Sequence, residues 1–273
     1  MIRDEEVGKR LDEIGHVFIV LSGKGGVGKS TLSANLALGL AIKDLKVGLL
    51  DIDIHGPSIP KLLGLSRRHI VVEKGEIIPL EAYGVKVMSM GFFLRDQNTP
   101  VIWRGPLKAN MVKEFLKTVR WGELDFLVVD SPPGTGDEPL SAAQYMEEKA
   151  SAIIVTTPQQ VATIDVEKCI VFCKEVKLPI EGVIENMSGF ICPKCGEVTY
   201  IFSKDGGRRL AERFSVPFLG SVPIDPIVVR SGEEEKPYIS HWGHTQTARN
   251  IEDIIEKIIG RRQDEVCDSH IQR

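Results

Sequence analysis

Two rhythms of apolar and polar positions alternate along this chain. Short apolar runs recur at 16–22, 46–52, 85–90, 124–130, 152–157, 180–186 and 217–222. Several of them, such as Phe126–Val129 and Ile153–Val155, are apolar at consecutive positions. Strands covered on both faces in a parallel sheet read this way. Between the runs lie stretches with helical spacing, at 29–43, 106–119, 138–148, 160–176, 204–214 and 245–260. Pro106 and Pro139 fall near the starts of two of these, where a missing N–H does no harm. The alternation predicts an α/β fold, a doubly wound, mostly parallel sheet with helices on both faces. A small hairpin insertion is expected within 66–84, with Ile70–Val72 and Ile77–Ile78 around Lys74-Gly75. No repeat or low-complexity tract interrupts the pattern. One domain is expected over 1–273, with a polar lead at 1–14 and a polar, flexible tail at 261–273.

Composition narrows the picture only a little. At 273 residues, 42% hydrophobic and 26% charged, the chain is ordinary for a globular unit. Its net charge of −4 lacks the basic surplus of a general nucleic-acid binder. No apolar run approaches the ~20 residues of a membrane span, so no stable membrane association is expected. Met1 to Asp12 is charged and has no apolar signal core, and the expected compartment is the cytoplasm. Five cysteines in a chain of this size are not a disulfide framework.

Ser22–Thr31 reads Ser-Gly-Lys-Gly-Gly-Val-Gly-Lys-Ser-Thr, between a predicted strand and a predicted helix. Gly23, Gly28, Lys29 and Ser30 fit the Walker A pattern for phosphate binding. In such a loop the backbone N–H groups of Gly23, Lys24, Gly25, Gly26, Val27 and Gly28 converge on an anion, and the helix that begins near Lys29, Ser30 and Thr31 adds its positive end. Lys29 is expected to reach the β- and γ-phosphates of ATP, and the Ser30 hydroxyl to bind Mg²⁺. Asp51 and Asp53 stand at i and i+2 of the second strand's carboxyl end, where ligands of α/β sheets bind. One is expected in the Mg²⁺ shell and the other, Asp53, on the attacking water. Leu127–Asp130 is an apolar strand ending in the Walker B aspartate, followed by Ser-Pro-Pro-Gly134; Asp130 is expected near Mg²⁺, and the Gly134 amide is expected to sense the γ-phosphate. Lys24 is not needed by phosphates that Lys29 already serves. It is either a solvated lysine at the loop mouth or a second phosphate contact.

Cys192-Pro-Lys-Cys195-Gly is a second kind of signal. Two thiolates at this spacing can clamp one metal from one loop, and Pro and Gly favour the turn. A tetrahedral metal or a [4Fe–4S] cluster wants four ligands, and two chains about a twofold axis would supply them. Zinc in a structural role, a redox-active pair and an inert turn remain alternatives on the residues alone. Cys169 and Cys173, at i and i+4 of one helix, read as small buried hydrophobes. Cys267 reads as a free thiol, and His241 and His244 as surface or capping residues.

The loop with its early lysine resembles the deviant Walker A of the MinD/Mrp group of P-loop ATPases. Trp103-Arg-Gly-Pro106, Trp121–Asp125, Asp130–Asp137, Thr157-Pro-Gln159, Glu185-Asn-Met-Ser188, Cys192–Cys195 and Val222-Pro-Ile-Asp225 extend the resemblance, to the Mrp/Nbp35 iron–sulfur carrier ATPases, over roughly residues 15–260. It implies a SIMIBI-type P-loop NTPase that works as a homodimer, with Lys24 acting in trans on the partner's γ-phosphate. It implies that Asn186 binds the adenine edge, with Pro223 and Asp225 in the loop that closes the base site. It also implies a labile [4Fe–4S] cluster bridging two Cys192–Cys195 pairs and passed to apo iron–sulfur proteins. The stretch Ile201–Gly207 departs from the family's glycine-rich pattern, and Arg230–Pro237 is also irregular against the family. No cysteine precedes Cys169, so a second, N-terminal cluster is not expected. Two other readings compete. One is a MinD- or ParA-like positioning ATPase with zinc or no metal, in which the isoleucine face of 251–259 lies on a membrane. The other is a nitrogenase-reductase-like electron donor.

Overall fold

The computed structural model describes residues 5–93, 105–146, 148–192 and 194–271, and of 105–109, 160–164 and 265–271 the backbone alone. Helix α1 (Glu5–Asp12) precedes β1 (Ile14–Ser22). Then come α2 (Lys29–Ile42), β2 (Val47–Asp51), α3 (Ile59–Leu62), β3 (Val71–Glu73), β4 (Glu76–Ile78), β5 (Leu80–Ala82) and β6 (Val85–Ser89). They are followed by α4 (Gly105–Thr118), β7 (Leu124–Asp130), α5 (Asp137–Met146), β8 (Ala150–Thr156) and α6 (Gln160–Glu175). The last elements are β9 (Ile180–Ile191), β10 (Val198–Thr199), α7 (Gly206–Phe214), β11 (Phe218–Ile224), α8 (Pro226–Glu233), α9 (Tyr238–Trp242) and α10 (Gln246–Ile271).

The main sheet runs β10-β9-β8-β1-β7-β2-β6-β5, with β11 on the other side of β9. Every pairing is parallel except β9–β10 and β5–β6. The expected doubly wound sheet is therefore present, with an antiparallel pair toward each end. Side-chain alternation along β1 explains the two layers. Val17, Ile19 and Leu21 join a core with Leu116 of α4, Ala142 of α5, Cys169 of α6 and Leu210 of α7. Phe18 and Val20 join a second core with Leu36 of α2, Ile239 of α9 and Ile255 of α10. Both faces are dry, so the strands are apolar throughout.

Two sequence expectations at the ends are corrected. The lead is not merely polar. Within it Val7 and Leu11, one helical turn apart, turn α1 into the core, and Lys149 Nζ donates to the carbonyls of Leu11 and Ile14, each at 2.7 Å. Nor does the last helix stop at 260. It continues to Ile271, and Arg261 and Arg262 both pair with the fully buried Glu181 of β9. The 66–84 insertion is found as the β3–β4 hairpin. In α10 the faces of Ile251, Ile254, Ile255 and Ile258 are buried, against β11 and α2. The face that a membrane-lying helix would present is thus part of the core.

Candidate nucleotide site and cysteine hairpin

The parallel strands β1, β2, β6 and β7 end together, and their register brings the polar end residues side by side. Asp51 is opposite Asp130 on one side and Ser89 on the other, and Asp130 is opposite Val20. Lys29, the first residue of α2, donates from Nζ to Asp130 Oδ1 at 2.6 Å. The pair is buried, with Lys29 6% and Asp130 0% exposed. Ser33 Oγ, one turn further along α2, donates to the same oxygen at 2.8 Å. Asp51 accepts from Ser89 Oγ at 2.9 Å and from the Asp53 amide at 3.0 Å. Burial, and then the charge of Asp130, push the Asp51 carboxyl well above its usual range, against the pull of these two hydrogen bonds. One buried cation thus stands among two buried carboxyls.

Asp130 Oδ2 is buried with no hydrogen-bond partner among the described residues. A buried carboxylate oxygen is costly without a donor or a cation. A hard oxygen acceptor beside a phosphate loop fits Mg²⁺, and the donor set of Ser30, Asp51 and Asp130 fits it too. A phosphate that takes Lys29 must draw it from Asp130, so the pocket exchanges one ion pair for another.

The loop itself has the expected shape. Gly26 and Gly28 take left-handed φ of 78° and 81°. A Cβ on Gly28 would stand 2.3 Å from Asn186 Nδ2, and one on Gly23 would lie 2.4 Å from the Asp165 backbone. Loop, α6 and β9 therefore approach too closely for side chains at those positions. Lys24 Nζ donates to Gln159 Oε1 of the same chain at 3.3 Å. Ser22 Oγ donates to the Lys24 carbonyl at 3.1 Å. The Gly134 amide, expected at the γ-phosphate, instead donates to the Ser22 carbonyl at 2.7 Å. That bond ties the loop after β7 to the end of β1. Asp53 Oδ1 accepts from the His55 and Gly56 amides at 3.1 and 3.2 Å, a local turn that fixes the carboxylate at the mouth of the site.

Asn186 and Asp225 are already engaged in protein contacts. Asn186, buried in β9, donates from Nδ2 to the Val27 carbonyl at 2.8 Å. It joins β9 to the phosphate loop directly. Asp225 caps α8 by accepting from the Ile227 amide at 2.8 Å, and takes the Tyr238 hydroxyl at 2.6 Å on its other oxygen. Its carboxylate thus has a structural role, joining α8 to α9, and Pro223 beside it is buried.

Strand β9 changes character after Asn186. β11 advances from Val222 to Ile224 while β9 advances from Asn186 to Phe190. The surplus forms a bulge in which Met187 and Gly189 take φ of 58° and 85°. Glu185, wholly buried, secures its near side by accepting from Ser188 Oγ at 2.5 Å and from the Gly207 amide of α7 at 2.6 Å. Beyond the bulge β9 and β10 form an antiparallel hairpin, and Cys192 and Cys195 are at its tip. The tip is closed by Cys192 N to Glu197 O and Gly196 N to Cys192 O, each at 2.9 Å. Cys195 is exposed and Cys192 half-buried. The amides of Cys195 and Lys194, with the Cys195 side chain, hold the Cys192 thiol below the ordinary thiol value. Among the described residues no third Cys, His, Asp or Glu completes a metal set.

The other cysteines behave oppositely. Cys169 and Cys173 are buried in α6, and burial pushes both thiols up to about 12. His241 Nδ1 meets the Pro237 carbonyl at 3.0 Å, a cap of α9. Trp103 and Arg104 lie outside the described residues. Sequence reasoning missed Ser33 and Ser89, and gave Gln159 only within the Thr157-Pro-Gln159 match, with no role. Of the two missed, only Ser33 had a signal, its i+4 spacing from Lys29.

A parallel α/β sheet with a phosphate loop, a buried Walker B aspartate and a lysine poised between them defines the class, a P-loop nucleotide-binding protein. The chain belongs to the NUBPL iron-transfer P-loop NTPase family, whose ParA model matches residues 13–259. Among curated relatives, the cytosolic Fe-S cluster assembly factor CFD1 of Kluyveromyces lactis is 52% identical over 232 residues, covering 82% of each chain. The iron-sulfur cluster carrier protein of Methanocaldococcus jannaschii is 42% identical, over 96% of this chain and 91% of its own. Among solved structures, the nucleotide-binding protein of Archaeoglobus fulgidus in complex with ADP aligns with a TM-score of 0.77. It is 38% identical and is covered at 100% by 90% of this chain.

Proposed function

We propose that this protein binds and hydrolyses ATP with Mg²⁺ and, as a homodimer in the cytosol, carries a [4Fe–4S] cluster to apo iron–sulfur proteins. One observation carries the reading. β9 touches the phosphate loop through Asn186 and, six residues on, presents two cysteines that cannot complete a metal set alone. Nucleotide and cluster are therefore handled by one strand. Four thiolates from two hairpins suit iron–sulfur chemistry, and their exposure suits a cargo that is passed on.

The chain's residues divide the work. The amides of 23–28 and the start of α2 hold the phosphates. Lys29 leaves Asp130 for the β- and γ-oxygens. Ser30, Asp130 and Asp51 would hold Mg²⁺, which would supply neutralising charge to the phosphates. Asp53 orients the water that attacks the γ-phosphorus. Lys24 exchanges Gln159 for the partner's γ-phosphate, supplying positive charge as an arginine finger does. Release of phosphate then frees Lys24, and the dimer reopens. The alternative of a membrane-positioning ATPase gains nothing from α10, whose isoleucine face is in the core. The test is cluster transfer to an apo-acceptor by wild type and Lys29→Ala, with and without ATP. ATP-dependent transfer by wild type alone is expected; equal rates in all four arms would remove the coupling.

A further inference from the structure

Among the described residues, large exposed hydrophobics occur singly or as the pair Val71 and Val72, with one exception. Val198, Tyr200, Ile201 and Phe202 are 45%, 43%, 55% and 44% exposed. They fall in five consecutive positions, starting three residues after Cys195. The patch is continuous with the cysteine hairpin. Val198 is opposite Ile191 in the β9–β10 ladder. The Gly189 Cα carries no side chain beneath it; a Cβ there would touch Val198 at 3.1 Å and Tyr200 at 3.3 Å. Lys204 Nζ lies 5.0 Å from the Tyr200 ring. Clustered apolar exposure of this kind marks an interaction surface.

The hairpin itself identifies what covers it. Its two thiolates need two more, and among the described residues the chain offers no third ligand. Metal–sulfur bonds of about 2.3 Å hold the sulfurs of a tetrahedral centre within roughly 4 Å of one another; a cluster, with one thiolate on each iron, spaces them further apart but still on one small body. Two hairpins sharing one centre must meet tip to tip, so the arms beside the tips meet their twofold mates. A twofold contact sets a patch against its own copy and must be self-complementary. An apolar patch satisfies this, whereas a patch of one charge repels itself. Around the tip the charges are mixed, with Lys194 and Glu197 on the same turn.

We infer that Val198, Tyr200, Ile201 and Phe202 form the apolar seat on which a second copy of this chain closes around the cysteine-bound cluster. This rests on the shared cluster of the proposed function and adds what surrounds it. The seat excludes water and oxygen from the sulfurs and sets how easily the centre opens.

The experiment uses the full chain, reconstituted anaerobically with iron and sulfide. Wild type, Ile201→Glu/Phe202→Glu, Ile201→Leu/Phe202→Leu and Cys192→Ser/Cys195→Ser are compared. Sedimentation velocity across a dilution series gives the dimer dissociation constant. Loss of visible absorbance after admitting air gives cluster lifetime, and circular dichroism verifies folding. The glutamate pair is expected to weaken the cluster-loaded dimer at least tenfold and to shorten cluster lifetime severalfold, with the leucine pair near wild type. If the glutamate pair matches wild type in both, while the serine pair abolishes both, the seat is overturned and the shared cluster stands. A glutamate variant that dimerises normally but cannot hand its cluster on assigns the patch to the acceptor, which also overturns the seat. If loaded wild type stays monomeric, the shared cluster fails first and the seat falls with it.

Discussion

The nucleotide end of the sheet and the cysteine hairpin are built from the same strand in opposite ways. At the nucleotide end Lys29 with Asp130, and Ser89 with Asp51, are buried pairs joined by hydrogen bonds of 2.6 and 2.9 Å. The phosphate loop, Lys29 and the strand-end carboxyls are gathered in one chain, with Lys29 paired to Asp130. Six residues beyond Asn186, Cys192 and Cys195 stand on an open tip with two backbone bonds across it. Cys195 is exposed there, and among the described residues no third ligand stands beside the pair. The first design lowers the reorganisation cost of a repeated reaction. In the dimer proposed above, the second would keep a metal centre dependent on an association that can be undone. The β9 bulge, with Met187 at φ 58°, separates the rigid region from the exposed one.

The sharpest break is at the hairpin. Cys192→Ala/Cys195→Ala should reduce iron bound after anaerobic reconstitution from the wild-type amount to background, measured by elemental analysis per chain. ATP binding by the same protein is the control that the nucleotide end has survived. Next is Lys29→Ala. Hydrolysis should fall at least ~10²-fold, since the residue is the main cation on the phosphates. The same change leaves two carboxyls buried without their cation, and removing one partner of a buried pair costs about 3–5 kcal/mol. Thermal melting should therefore show a large loss for Lys29→Ala, partly recovered in Lys29→Met/Asp130→Asn, where the uncompensated charge is gone. An equally severe loss in the double variant would mean the pair is not what holds this region.

Thiol chemistry sharpens the contrast without mutation. Cys192 is held below the ordinary thiol value by amides at the tip, whereas Cys169 and Cys173 are pushed up to about 12. In the metal-free chain, iodoacetamide should modify Cys192 first, and its rate should level off at a lower pH than that of a free thiol. The sign follows from the thiolate being the nucleophile: a lowered value raises the reactive fraction at neutral pH. Cys169 and Cys173 should stay unmodified until the chain unfolds. Peptide mapping by mass spectrometry across pH 6–9 reads all three. Equal rates at Cys192 and Cys169 would remove the distinction between the exposed and buried pairs.

Much of this was legible in the sequence, and the exceptions share a cause. The phosphate loop, Asp51, Asp130 and the cysteine pair each follow an apolar strand in short local motifs, so spacing alone made them candidates. Ser89 and the contact of Gln159 with Lys24 were not legible, because β6 and the β8–α6 turn reach the site only through sheet order. Gly134 and Asp225 were read as nucleotide contacts. Nothing in one dimension reveals that Ser22 O already takes the Gly134 amide, or that Asp225 is occupied by Ile227 and Tyr238. The polar ends misled for a related reason. Helix α1 has only Val7 and Leu11 on its buried side, and Arg261 and Arg262 belong to the fold only because Glu181 is buried opposite them.

The smallest effect tests how closely the nucleotide end is braced. Ser89 Oγ donates to Asp51 Oδ2 and accepts from the Gly91 amide at 3.0 Å, so it links β6 to the carboxyl that burial already disfavours as an ion. Ser89→Ala removes one donor from a buried carboxyl and leaves an amide to be resatisfied, a loss of about 1–3 kcal/mol. Chemical denaturation should report it as a lower midpoint with an unchanged slope. The loss should shrink in Ser89→Ala/Asp51→Asn, because a neutral amide at 51 no longer depends on that hydroxyl to carry charge. A cycle with no coupling between the two positions would mean that the Asp51 carboxyl is held by the Asp53 amide alone. The nucleotide end would then be as loosely supported at this strand as the cysteine tip is at its own.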